Sequence, residues 1–320
     1  MPTSQNIPSN PLISFIVTTF DLPAEMIREC IESILRLSLA RDEREIIIVD
    51  DGSDIPALNN LTDLQDQITY IRQPNQGPSA ARNRGLQCAT GKFIQFVDGD
   101  DYIIQAPYEH CLDIIRFREA DVVLFHETTK TQPEVPFIYD GPVSGVSFMR
   151  HNNLRASACG YLFKRSILGS LRFTPGILHE DEEFTPQLML RAEQVYSTKS
   201  EAYFYRKRGG SRLNKIGRRH TVKRQSDTIH VILKLRDIAE TLPETDQMAV
   251  NRRIAQLSMD YLYNTIKLTH SHKQLNKAMN RLRRYGLYPL PDKNYTKKYR
   301  VFKKLVDSSI GRWILLLTIR

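Results

Sequence analysis

Hydrophobic residues in the first hundred positions occur as short unbroken runs, and each run ends in polar residues. The runs at Leu12–Thr18, Glu45–Val49, Ile68–Ile71 and Phe93–Val97 predict four strands. Strands that are apolar throughout, without alternation, are typical of parallel sheets covered on both faces. Because segments with helical spacing lie between them, the pattern predicts a βαβ series and hence a parallel sheet.

The segments between these runs carry helix and turn signals. Asp21 is a candidate N-cap, with Pro23 near the first helical position of the helix that follows. Residues 57–67 look helical, and Ser79–Cys88 reads as a helix after the turn at residues 75–78.

Beyond residue 101 the pattern predicts shorter strands and helices, followed by a region that is helical and basic. In chain order they are a helix over 107–119, a strand over 121–125, a strand over 137–139, a helix over 144–152, a strand over 160–165 leading into a short helix, and strands at 195–196 and 202–205. Basic helical patterns follow, near 220–241, 245–270, 272–284 and 295–306. The shift in composition predicts two domains, 1–210 and 211–320.

The fourth strand ends in three carboxylates, Asp98, Asp100 and Asp101, around Gly99. In open α/β sheets, ligands bind outside the carboxyl ends of the strands. A hard divalent ion held by one or two carboxylates and by substrate phosphates would compensate the repulsion between these acids. The alternative is a solvated acidic turn, which Asp and Gly also favour.

A second acidic cluster, Glu180–Glu183, precedes an apolar helical pattern. The helix dipole stabilises acids in a first turn and accounts for at least two of them. Four exceed what capping needs, and one of them could serve as a general base towards an incoming hydroxyl group.

Charge is distributed unevenly along the 320 residues, whose net charge is +9. Between Arg206 and Arg236 there are eleven basic residues and one acid, and between Lys267 and Lys304 there are twelve and one. Such a surface attracts polyanions, including anionic lipid and phosphorylated acceptors, or is simply a solvated helical face.

Several classes of protein are disfavoured by the sequence. The start of the chain lacks the basic and apolar stretches of a signal peptide, and no apolar run reaches the ~20 residues that span a bilayer. The four cysteines form no C-x-x-C pair, which fits a reducing compartment. Neither a P-loop nor a G-x-G-x-x-G fingerprint is found.

Five motifs, in order and at the usual spacing, resemble a family 2 inverting glycosyltransferase of the kind that makes bacterial capsule, exopolysaccharide or lipopolysaccharide. The resemblance covers about residues 12–210 and implies an α/β fold of GT-A type, with a mostly parallel sheet flanked by helices and a C-terminal helical extension. The motifs are Phe15–Phe20, Ile47–Ser53, Asn75–Gly77 with Ala81–Gly85, Phe96–Asp101, and Glu180-Asp181.

The resemblance also implies roles for individual residues. Asp100 would be the main ligand of Mn²⁺ or Mg²⁺, with Asp98 beside it and near the ribose or donor sugar. Asp181 would be the base that deprotonates the acceptor hydroxyl, with Glu180 second and Glu182 and Glu183 as competitors. The remaining donor-binding residues are Thr18, Phe20, Asp51 and Arg82 at the base, and Arg206, Arg208 and Ser211 at the diphosphate.

Two departures from the family pattern affect the expected substrate and mode of action. Phe20-Asp21 stands where the family commonly has Tyr-Asn, which makes UDP a less certain default. The Gln-x-x-Arg-Trp motif of processive synthases is absent, because Ser309 precedes Arg312-Trp313 where the glutamine would be. We therefore expect transfer of one sugar per encounter with a glycan or lipid-linked acceptor.

The C-terminal third combines aromatic and basic residues with an apolar end at Trp313–Ile319. This composition suits contact with the cytoplasmic face of a membrane, or alternatively a helical domain packed with its end buried. Two other functions remain open: a nucleotidyltransferase that makes sugar nucleotides, and a nucleic-acid-binding protein, although acids at the strand ends would repel phosphates.

Overall fold

The structure is a computed structural model that describes residues 10–130, 137–208 and 218–319. These residues form nine strands and ten α-helices. The strands are β1 (Ile13–Thr19), β2 (Arg44–Asp50), β3 (Thr69–Arg72), β4 (Phe93–Asp98), β5 (Tyr102–Ile103), β6 (Val122–Thr128), β7 (Tyr139–Val143), β8 (Tyr161–Lys164) and β9 (Val195–Phe204). The helices are α1 (Ala24–Leu35), α2 (Pro78–Cys88), α3 (Gln105–Phe117), α4 (Gly145–His151), α5 (Glu180–Met189), α6 (Arg218–Ala239), α7 (Glu244–Thr269), α8 (His272–Arg284), α9 (Lys297–Asp307) and α10 (Ser309–Thr318).

Two compact units divide the described residues. The first lies within Met1–Gly145, Arg155–Gly176 and Gln187–Gly209, and the second lies within Val146–Leu154, Ile177–Pro186 and Gly210–Arg320. The division at residue 210 that composition suggests stays a prediction.

The first unit contains a single mixed sheet in the order β3-β2-β1-β4-β8-β6-β9-β5, with β7 paired to β9. The first four strands in this order are parallel, as the apolar runs predict. Their register places Thr19 opposite Asp50 and Thr18 opposite Asp98. The carboxyl ends of β1, β2 and β4 therefore lie at one edge of the sheet, where their polar residues meet.

The other half of the sheet is mixed. Strand β8 runs antiparallel to β4 and β6, while β9 pairs in parallel with β6 and antiparallel with β5 and β7. The core is aromatic: Phe96 packs edge-on against Phe173, with ring centroids 5.3 Å apart, and Phe15 contacts Tyr108 at 6.0 Å. The predicted α/β class, with a central sheet flanked by helices and a C-terminal helical region, is confirmed. The sheet is mixed rather than mostly parallel, because β5, β7 and β8 run antiparallel to their neighbours.

The second unit is helical. The long helix α7 packs against α6, α8, α9 and α10. Its apolar residues Val250, Ile254 and Leu262 are buried, and so are Ile232 and Leu235 of α6.

Three local predictions were wrong, and for Asp21 the structure shows a tertiary contact in place of the local one. Asp21 does not cap α1; its φ is 47°, and its carboxylate accepts a hydrogen bond from the Asp54 amide at 2.8 Å, while Pro23 occupies the N-cap position. Residues 57–67 form two 3-10 turns rather than one helix. The two short strands expected near 195–205 are one strand, β9.

Candidate active site

Asp51, at the end of β2, holds the segment that leads into α2. Its carboxylate accepts hydrogen bonds from the Gln76 and Gly77 amides at 3.0 and 2.7 Å and from the Gln73 side chain at 2.8 Å. Gly77 has φ 87°, a conformation that glycine adopts without strain. Asp51 is 4% exposed. The resemblance places this residue at the nucleotide base, and its buried carboxylate also stabilises the segment that leads into α2.

Asp98, at the end of β4, lies among polar groups from three other elements. Its Oδ1 accepts from the Arg82 guanidinium at 3.0 Å and from the Thr18 hydroxyl at 3.4 Å. The Asp98 side chain is 37% exposed, whereas that of Arg82 is 9% exposed and lies over the ring of Phe173. The structure thus brings together Thr18, Arg82 and Asp98, and leaves the Asp98 carboxylate accessible.

Asp100 pairs with an arginine that follows β9. Arg208 Nε donates to Asp100 Oδ2 at 2.5 Å, and the Asp100 side chain is 19% exposed. Arg206 is used differently, because its Nε donates to the Asp100 carbonyl at 2.9 Å and its guanidinium also pairs with Glu29. Arg206 therefore fixes the backbone of the acidic turn, and Arg208 is the arginine that faces a carboxylate of that turn.

Asp101, the third acid of the turn, is buried at 2% exposure. It accepts hydrogen bonds from the Arg206 amide at 2.8 Å and from the Tyr203 hydroxyl at 2.9 Å. Burial, followed by the charge of Asp98, raises its pKa to about 8. The third acid of the turn is therefore an internal anchor.

Tyr203 is the residue of this site that sequence reasoning missed. Its hydroxyl accepts from the Asp98 amide at 3.0 Å and donates to Asp101, so it connects β9 to both ends of the acidic turn. In the sequence it is one more apolar residue of a strand, and no local signal distinguishes it.

Phe20 and Ser211 are the remaining predicted donor-binding residues. Phe20 is 45% exposed after β1, so its ring is accessible for stacking. Ser211 lies outside the described residues.

The acidic turn suits a shared metal ion rather than a closed protein cage. Within residues 10–130, 137–208 and 218–319, no three His, Cys, Asp or Glu side chains are grouped so as to hold a metal ion. Asp98 and Asp100 supply two carboxylates at a partly exposed strand end. This donor set fits Mg²⁺ or Mn²⁺, which bind through one or two carboxylates together with substrate phosphates.

Glu180 and Asp181 lie in the second unit, in the first turn of α5. Glu180 and Glu183 are buried, whereas Asp181 and Glu182 are half-exposed. The Asp181 carboxylate accepts a hydrogen bond from the Glu182 amide at 2.9 Å.

His179, immediately before the helix, has φ 64°, in the left-handed region. Burial, followed by the charge of Arg224, lowers the pKa of His179.

The acids and the arginines that face them lie at the carboxyl edge of the parallel strands, which is where open α/β sheets bind ligands. The family model described as glycosyl transferase family 2 matches residues 14–149. Residues 14–149 therefore match the family that the sequence resemblance indicated.

Similarity to individual proteins agrees with this assignment. The chain is 29% identical to glycosyltransferase GlyA of Streptococcus pneumoniae over 218 residues, which are 62% of this chain and 31% of GlyA. It thus spans less than a third of that relative.

Two solved structures share the fold. The TarS 1–349 fragment of S. aureus in complex with UDP-GlcNAc superposes with a TM-score of 0.62 at 19% identity, covering 91% of this chain and 90% of that one. Mannosyltransferase PcManGT of Pyrobaculum calidifontis, in complex with GDP-Man and Mn²⁺, gives 0.57 at 15% identity, covering 97% and 88%.

None of the helices in the described part of the chain is both long and apolar enough to span a bilayer.

Proposed function

We propose that the protein is a metal-dependent, inverting and non-processive glycosyltransferase. It would transfer one hexose-type sugar from a UDP-linked donor to a hydroxyl of a glycan or lipid-linked acceptor, in the synthesis of surface polysaccharide on the cytoplasmic side of the membrane. The observation that carries this proposal is the pair of partly exposed carboxylates, Asp98 and Asp100, each facing an arginine at the carboxyl edge of the parallel strands.

The donor diphosphate would be bound by this set of opposite charges. Asp98 and Asp100 would hold the divalent ion, which supplies positive charge that stabilises the leaving diphosphate when bound. Arg208 would turn from Asp100 towards a phosphate oxygen, since a guanidinium binds phosphate and carboxylate alike. Arg82 keeps Asp98 oriented, and Phe20 would stack on the nucleotide base.

The acceptor hydroxyl needs a base to remove its proton as it attacks the anomeric carbon. We assign this role to Asp181, with Glu180 as the second candidate. Glu182 is paired with Arg253 and Glu183 is 5% exposed, whereas Asp181 is half-exposed and so better placed to meet an acceptor. In-line attack on the face opposite the leaving diphosphate inverts the configuration.

A screen of nucleotide sugars tests this function. UDP-GlcNAc, other UDP-sugars and GDP-mannose are incubated with the protein and Mn²⁺, and release of nucleoside diphosphate is measured with and without chelator. We expect turnover of at least one donor, and loss of about 100-fold or more in Asp100→Asn, because a ligand of the ion is removed. Asp42→Asn, an exposed acid of the same unit, is the matched control.

The proposal fails if every donor is inert, or if Asp100→Asn and Asp42→Asn turn over donor equally. Release of pyrophosphate instead of a nucleoside diphosphate would indicate a nucleotidyltransferase.

Contact with a membrane surface is part of the proposal, and α10 supports it. Its exposed large apolar residues follow the i, i+3, i+4, i+7 spacing of one helical face. They are Ile310, Trp313, Ile314 and Leu317. Helix α10 packs against α8 and α9, whose exposed surfaces carry lysines and arginines. An apolar face containing tryptophan and bordered by cations suits an interface with anionic lipid.

A further inference from the structure

The acidic residues at the start of α5 follow a backbone that is held in an uncommon conformation. His179 has φ 64°, and residues with such backbones persist where surrounding contacts determine them. Two contacts from the C-terminal helices reach this segment, one on each side of Glu180 and Asp181.

The contact on the N-terminal side comes from α6. Asp227, which is 9% exposed, accepts a hydrogen bond from the Leu178 amide at 2.9 Å, and Lys223 pairs with the same carboxylate oxygen at 2.9 Å. The Nε atom of Arg224 lies 3.3 Å from His179 Nε2. The α6 surface thus fixes the two residues that precede the helix.

The contact on the C-terminal side comes from α7. Arg253, also 9% exposed, donates from Nε to Glu182 Oε2 at 3.1 Å and makes a second, shorter contact to the same oxygen through Nη2. Its Nη1 lies 3.4 Å from Gln256 Oε1, and Gln256 donates to Asn153 at 2.8 Å. The guanidinium is therefore oriented on both sides.

An ion pair in which the arginine is buried and the carboxylate is partly exposed is an unusual choice for stability alone. Arg253 lies between buried apolar residues of α7, Val250 and Ile254. Replacing a buried ion pair with apolar side chains is often neutral or stabilising, because two charges must lose their hydration. The pair does fix the orientation of the two side chains, because they form their hydrogen bonds only when Glu182 lies at one position along α7.

We propose that Asp227 and Arg253 are positioning residues of the glycosyl transfer, which hold residues 178–182 so that Asp181 meets the acceptor hydroxyl; this inference rests on the proposed function. Neither residue touches donor or acceptor. Arg253 acts through Glu182, and Asp227 acts through the Leu178 amide. Misplacement of a reacting group by about 1 Å can lower a rate by about 100-fold, so loss of either contact should reduce kcat.

The test uses the full chain, Mn²⁺ and whichever nucleotide sugar the screen finds active, with water or the acceptor as nucleophile. We expect Arg253→Gln and Asp227→Asn to lower kcat by about 10- to 100-fold, with the KM for donor and the Kd for UDP changed less than about twofold. Arg253→Lys should recover part of kcat, because it keeps the charge beside Glu182.

Three further variants separate positioning from folding. Arg236→Gln removes a partly buried arginine of α6 that pairs with Asp237 and Glu240, so it is a matched control and should leave kcat unchanged. If Arg253 acts through Glu182, the double variant Glu182→Gln/Arg253→Gln should be no slower than the slower single variant. Glu182→Gln itself keeps the size of the side chain and reports on the pair should Arg253→Gln fold poorly.

The outcomes distinguish this inference from the function on which it rests. A parent protein that turns over no nucleotide sugar overturns both. An active parent whose kcat is unaffected by Arg253→Gln and Glu182→Gln overturns the inference alone. So does a rise in the KM for donor at constant kcat, which would mean that the residues contribute to binding.

Discussion

Neighbouring aspartates at the sheet edge have different roles, although the sequence presents them as equivalent pairs. Asp50 and Asp51 are buried and saturated by backbone and side-chain donors, and Asp101 is anchored by Tyr203 and Arg206. Asp98 and Asp100 keep accessible carboxylates. Three of the acids are therefore part of the internal structure of the edge, and the other two keep partly exposed carboxylates.

Asp50 provides a test of the structural role. It is 0% exposed and accepts from the Ser53 amide at 2.8 Å, the Ala57 amide at 3.1 Å and the Tyr70 hydroxyl at 2.5 Å. Burial alone would raise its pKa, but these hydrogen bonds outweigh burial and lower the pKa. We expect Asp50→Asn to reduce the free energy of unfolding at pH 7 by about 2–3 kcal/mol, measured by urea denaturation.

The sign of the pH dependence follows from the lowered pKa. The contribution of Asp50 is complete above the unfolded-state pKa of about 3.9 and is lost as pH falls through the lower folded-state value. The difference between parent and Asp50→Asn should therefore shrink below about pH 4. Asp54→Asn, an exposed neighbour, serves as the control. A difference that grows on acidification would contradict this account.

At the scale of elements, the close approach of α2 to β1 places Arg82 beside Asp98. Gly85 of α2 lies against Ile16 of β1, and a Cβ at this position would clash with Ile16 Cγ2. The glycine is therefore required by packing, even though glycine is unfavourable within a helix.

This contact predicts that Gly85→Ala changes the free energy of unfolding in the direction opposite to that expected from helix propensity alone. Gly85→Ala should lower the free energy of unfolding by about 1–3 kcal/mol through overpacking, rather than raise it by about 1 kcal/mol. In an Ile16→Ala background, which removes the clashing methyl group, the same change should cost less. Equal costs in both backgrounds, measured by denaturant unfolding, would show that the contact is not responsible.

At the scale of the whole molecule, the charge asymmetry and the exposed face of α10 lead to a prediction about membranes. The double variant Ile310→Asp/Leu317→Asp should bind about tenfold or more weakly than the parent to phosphatidylcholine vesicles containing phosphatidylglycerol, because two apolar side chains no longer enter the interface. Added salt should weaken binding of the parent, and vesicles without phosphatidylglycerol should bind it poorly.

The matched control is Val222→Asp/Met248→Asp, which places acids at two exposed apolar positions of α6 and α7. Equal vesicle binding by parent and the α10 variant would contradict the proposal. A parent dimer in sedimentation that the α10 variant dissociates would assign the face to a second copy of the chain.

Local patterns were enough to predict most elements, because helix and strand periodicities and turn residues act within short windows of sequence. The parallel arrangement of the first four strands along the chain, the helix after Gly77, and the basic helices of the C-terminal third were predicted in this way. Elements failed where a distant contact intervened: Asp21 binds the Asp54 amide instead of capping α1, and β9 continues through residues expected to interrupt it.

By itself, the sequence determined the class of fold and the two acidic clusters, since unbroken apolar runs ending in acids are readable one segment at a time. Only the tertiary structure decided which contacts each side chain makes. Tyr203 reaches Asp98 and Asp101 across 105 and 102 positions, and Arg253 reaches Glu182 across 71. Contacts over such distances depend on how the whole chain packs, and no local pattern encodes them.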